Sequence, residues 1–162
     1  MGDEATALDD GADDLLYVAR VGVVAAAEPE AHAIFGRVFE PELTHLPPGE
    51  VSPELGAGTV RVRALDQLVM ALAGCLVGTL QGTLAARRVD SSGMRAVVEG
   101  QVVRREGRVR LASVHARYTL AVEPEQRAAV ERALAVHERA CPASRSVQGA
   151  IAITWEMDGR DR

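Results

Sequence analysis

The stretch from Leu65 to Val89, LDQLVMALAGCLVGTLQGTLAARRV, leaves this chain few ways to fold. No charged residue lies between Asp66 and Arg87, and Leu65, Leu68, Leu72, Leu76, Leu80 and Leu84 recur at helical spacing. The spacing predicts a buried central helix. Gly74, Gly78 and Gly82 recur every fourth residue and form a stripe without side chains. Each glycine costs roughly 1 kcal/mol relative to alanine inside a helix, so the stripe implies another backbone packed closely against it. The uncharged run from 67 to 86 approaches the length of about 20 residues that crosses a bilayer. Gln67, Thr79, Gln81 and Thr83 interrupt it, however, and no aromatic belt flanks it. It is read as a core helix, with no membrane partner.

The rest of the chain must cover that helix. A length of 162 residues suits one domain with a real core. Aromatic residues make up only 3%, so the core must be built from alanine, valine and leucine. A net charge of −5 argues against nucleic acid as a partner, because phosphate binding needs a basic field. The acidic N-terminus lacks the positive region of a secretion signal, and two cysteines do not make a disulfide scaffold. The expectation is a cytoplasmic protein with reduced thiols.

Residues 1–14 hold six acidic side chains and few large apolar ones, and are expected to be a disordered tail ahead of a single domain over 15–162. Tyr17 to Ala27 and Ala33 to Glu40 read as strands. Pro41 to Gly58, with four prolines and three glycines, reads as a loop. Thr59 to Arg63 alternates as a half-buried strand. After the central helix, Met94–Arg105 and Arg108–Val122 form a predicted hairpin turning at Glu106-Gly107. The second run alternates through Val109 and Leu111, slips, and resumes at Val114. Pro124 opens a second helix that must end before Cys141-Pro142. Ala150 to Met157 closes the chain as a strand. The order β, β, β, α, β, β, α, β with neighbouring strands antiparallel gives an α+β fold.

Chemistry points to the two cysteines. Cys75 sits in the middle of the central helix. Alone it reads as a small core hydrophobe as readily as a working thiol. Cys141 precedes Pro142-Ala143-Ser144-Arg145-Ser146 and would cap a short helical turn, where the helix end and Arg145 favour thiolate. The plainer reading is that Cys141 simply ends a helix. His137 stands four residues before Cys141, but two ligands do not make a zinc site, and no metal or cofactor is expected.

The pattern Leu-Val-Met-Ala-Leu-Ala-Gly-Cys at 68–75, a hairpin, and a helix ending Glu-Arg-Ala-Cys-Pro-Ala-Ser-Arg-Ser at 138–146 resembles the OsmC/Ohr family over roughly residues 59–157. The resemblance implies an intertwined α+β homodimer, with antiparallel sheets packed around a long central helix. It further implies reduction of hydroperoxides, particularly organic ones. Cys75 would be the peroxidatic thiol and Cys141 the resolving one, with an external dithiol as reductant. Active members pair an arginine with a glutamate ahead of the first helix. Asp66, nine residues before Cys75, stands nearest that place, with Arg61 and Arg63 as the nearest arginines. These three also read plainly as a dipole-stabilising acid and two solvent-facing strand charges. The alternative to catalysis is an OsmC-like dimer that binds a small apolar ligand or senses redox state.

Overall fold

The computed structural model describes residues 13–24, 42–46 and 63–161. Its elements are β1 (Asp14–Val24), β2 (Glu42–Leu46), α1 (Ala64–Ala85), β3 (Arg95–Arg105), β4 (Arg108–Val122), a 3₁₀ turn (Pro124–Gln126), α2 (Arg127–Ala140), α3 (Pro142–Ser146) and β5 (Ala152–Asp161). The expected strand at 33–40 lies outside the described residues, as do 59–62 of the expected strand at 59–63. Arg63 is not in a strand: it is the extended residue that opens α1. Residues 1–12 of the expected tail are also outside. Asp13 and Asp14, its last two residues, lie against the hairpin, where Asp13 pairs with Arg105 at 2.5 Å and Asp14 with Arg104 at 3.7 Å.

One five-stranded sheet runs in the order β2-β1-β3-β4-β5. The first four strands pair antiparallel, and β5 pairs parallel with β4. That last pairing differs from the antiparallel expectation. A strand returning through the helices α2 and α3 makes a crossover, and crossovers join parallel strands. Also unexpected is β2, inside the stretch read as a loop. Its five residues are held by cross-strand pairing to Val18–Gly22.

The hairpin turns where expected. Glu106 (φ 51°) and Gly107 (φ 72°) both take the left-handed conformation that a two-residue turn between twisted strands demands. The slip in β4 is a bulge: Gln101 pairs with Ser113 and Val102 with Leu111, leaving Ala112 as the extra residue. The bulge restores the alternation, so Leu111, Val114, Ala116, Tyr118 and Leu120 all point inward.

Against that inner face lies α1, presenting Val69, Leu72, Ala73, Leu76, Val77, Leu80 and Leu84, each 1% exposed or less. The approach is closest at Gly100 on β3, where a Cβ would stand 2.4 Å from Val69 Cγ2 and 3.0 Å from Leu111 Cδ1. Of the described helices α1 is long and apolar enough to span a bilayer, but more than half of its apolar window is buried in protein, as a core helix requires. Its opposite face carries Gln67, Ala71 and Gly82, which are exposed, and Leu68, Cys75, Gly78 and Thr79, which are half-buried. The outer face of the sheet is polar, crossed by the ion pairs Arg20–Glu99 and Arg117–Glu156.

Candidate active site: a thiol pair at the end of the second helix

Two local features bring Cys141 to Cys75. Helix α2 buries Val130, Ala133, Leu134 and His137 against the core and is stopped by the Cys141-Pro142 step. Cys141 is extended (φ −72°, ψ 115°), the geometry that a following proline imposes, and Pro142 starts α3. This short helix packs on α1. As a result the Cys75 thiol meets three groups: the Cys141 thiol, the Ala143 backbone N–H and the Thr79 hydroxyl. Cys75 is half-buried and Cys141 fully buried, and both are free thiols.

Burial and the adjacent Cys141 thiol push the Cys75 thiol up from its ordinary pKa, and the Ala143 N–H and Thr79 hydroxyl pull it partly back. Among the described residues no arginine ranks with these influences on Cys75.

Asp66 and Arg63 stand at the start of the same helix as Cys75. Nine residues at about 1.5 Å each separate Asp66 from Cys75 by roughly 13 Å along the axis, beyond the reach of an aspartate side chain within one chain. Asp66 is instead buried at the helix start, where its Oδ2 accepts the Arg63 N–H at 2.7 Å and its charge complements the helix dipole. The Arg63 guanidinium lies 4.6 Å over the Tyr17 ring. Burial, followed by the Asp66 charge, raises the Tyr17 phenol, and both Asp66 and Arg63 also reach it by hydrogen bonds. Arg61 lies outside the described residues.

The sequence reading missed a buried polar group behind Cys141. His137 is fully buried, its Nδ1–H donates to Leu134 O at 2.8 Å, and its Nε2 accepts the Tyr118 hydroxyl at 2.9 Å. Its ring also meets the rings of Tyr118 and Trp155 edge-on, with centroids 5.3 Å and 5.2 Å away. The one clue was a histidine in register with the buried face of α2. Burial lowers the His137 pKa and raises that of Tyr118, which also feels Cys141.

A depressed base contributes stability above its unfolded pKa of about 6.5 and loses it as pH falls toward the folded value. Denaturant unfolding from pH 7 to pH 5 should therefore show a loss of stability that disappears in His137→Asn. An identical pH profile in that variant would remove this role. Tyr118→Phe, which leaves Nε2 buried without its donor, should cost about 1–2 kcal/mol. Among the described residues no three His, Cys, Asp or Glu side chains converge.

Comparison with known proteins identifies the fold and the family. Residues 57–156, more than half of the chain, match the family of OsmC-like proteins. The fold superposes on the OsmC-like protein of Mycoplasma pneumoniae with a TM-score of 0.54 and 16% identity, covering 72% of this chain and 87% of that one. A protein assigned to organic hydroperoxide resistance in Vibrio cholerae, holding captopril in one of its active sites, gives 0.52 and 18% over 62% and 68%. The organic hydroperoxide resistance protein OsmC of Legionella pneumophila gives 0.51 and 14% over 85% and 95%. Among curated proteins no sequence match is found. With its α+β architecture and a family match spanning the central helix, the hairpin and both cysteines, the chain belongs to the OsmC-like protein family.

Proposed function

We propose that this protein reduces organic hydroperoxides through Cys75 and Cys141. The observation that carries the reading is the meeting of two free thiols, 66 residues apart in sequence, beside an apolar helix face. The Cys75 thiolate attacks a peroxide oxygen and the O–O bond breaks. The alkoxide leaves and takes a proton, giving the alcohol, and Cys75 becomes a sulfenic acid. The Cys141 thiolate attacks that sulfur, an S–S bond forms and hydroxide departs to become water. An external dithiol then returns both thiols by exchange. The thiol pair gives up two electrons per turnover, and the peroxide accepts them.

Cys75 is the better candidate for first attack because it is the half-buried member of the pair, while Cys141 is fully enclosed. The Ala143 N–H and the Thr79 hydroxyl are positioned to hold its thiolate. One equivalent of cumene hydroperoxide should remove both free thiols from the reduced protein. An unchanged thiol count would leave the second reading, a dimer binding a small apolar ligand.

The working unit we propose is a homodimer whose seam is the outer face of α1. That face, from Gln67 through Ala71, Cys75 and Gly78 to Gly82, is free of charge and built largely of small residues, which suits close approach of another helix. A Cβ at Gly82 would meet nothing within 4 Å in the single chain. Gly82→Ala should therefore stabilise an isolated helix by up to about 1 kcal/mol yet weaken a dimer packed there. Sedimentation equilibrium reads this directly, and a variant dimer as tight as the wild type would move the seam elsewhere.

A further inference from the structure

A cavity of about 390 Å³ opens between the end of α2, α3 and the start of β5, and neither cysteine lines it. Its wall contains Glu138, Arg139, Ser144, Arg145, Ile151 and Ile153. The volume falls within the range of about 300–1,000 Å³ typical of small-molecule sites.

The cationic groups of this wall ask for a ligand. Among the described residues the Arg145 guanidinium makes no hydrogen bond or ion pair. Arg139 donates once, to Ala135 O at 3.2 Å, and keeps its other N–H groups. Two guanidiniums against the single carboxylate of Glu138 leave one net positive charge, which balances a monoanion better than a dianion. In the same lining, Ile151 and Ile153 offer half-buried apolar surface.

We propose that this cavity binds a small organic monoanion, a carboxylate on an apolar body. Arg145 and Arg139 receive the carboxylate, and the apolar body lies on Ile151 and Ile153. Planar guanidinium and carboxylate groups match in a two-bond fork, which makes arginine the natural receptor for this head group.

Octanoate titrated into the reduced protein by calorimetry tests the assignment. Saturable binding is expected, weakened roughly tenfold or more in Arg145→Gln, because a charge-assisted hydrogen bond is lost. Octanol, with the same chain and no charge, should bind at least about tenfold more weakly, and octyl phosphate more weakly than octanoate. Cys75→Ser should bind octanoate as the wild type does, which also keeps this result separate from the fate of the peroxidase reading. Five outcomes would overturn the proposal: absent saturation, unaltered affinity in Arg145→Gln, equal binding of octanol, tighter binding of octyl phosphate, or loss of binding in Cys75→Ser.

Discussion

Serine in place of Cys75 is expected to abolish peroxide turnover, with a loss of about 10³-fold or more, as when a nucleophile is deleted from a cooperating catalytic unit. The hydroxyl of serine is isosteric enough to leave the fold intact, but at neutral pH it supplies almost no anion. Cys141→Ser should behave differently. Its Cys75 can still attack once and stop as a sulfenic acid, so the variant should consume one equivalent of peroxide and form an adduct with dimedone. Steady turnover should vanish in both variants, and only the second should show the single rapid event. Wild-type turnover in Cys141→Ser would mean that the external dithiol attacks Cys75 directly. Because burial and Cys141 raise the Cys75 thiol, the rate of that first event should climb as pH rises through neutrality into the alkaline range.

The second large effect lies in the core. Gly100→Ala should destabilise the protein by about 3 kcal/mol, the upper end of the range for overpacking. The added methyl would sit 2.4 Å from Val69 Cγ2, a distance real Cβ atoms do not adopt. Val69 cannot swing away easily, because a β-branched side chain in a helix has one strongly preferred rotamer. Val69→Ala alone also costs stability, but in combination with Gly100→Ala it should recover much of the loss. A double-mutant cycle by urea unfolding would therefore return a favourable coupling of about 1 kcal/mol or more. Simple additivity would show that α1 lifts off the sheet as a whole.

Much of this architecture is legible in the residues, for reasons that can be stated locally. The central helix announces itself because leucine recurs every third or fourth residue without a charge for five turns. The hairpin is readable because only a few residue pairs tolerate two left-handed positions. The bulge appears as one skipped beat between Leu111 and Val114, and the end of α2 is visible in Cys141-Pro142. The parallel docking of β5 is hidden because alternation along a strand says nothing of which neighbour it finds. Strand β2 is hidden for a related reason: its backbone bonds go to a segment some 25 residues earlier, and the prolines that flank it, Pro41 and Pro47, suggest a loop.

The site divides along the same line. The cysteines can be matched by motif, and their contact emerges only when α3 is laid on α1. Asp66 was legible as an acid in a first helical turn, which is the job its hydrogen bond to Arg63 performs. The pairing of His137 with Tyr118 depends on a helix crossing a strand, and no local pattern encodes that.

The parallel seating of β5 has a consequence for synthesis. Until Ala152–Asp161 leaves the ribosome, the long outer edge of β4 has no partner, although the hairpin and helices that precede it are already complete. A nascent chain paused near Gly149 would thus display an open ladder of backbone amides to its neighbours on the same message, inviting intermolecular pairing. Yield in the cell should then depend on how quickly the codons of β5 are read.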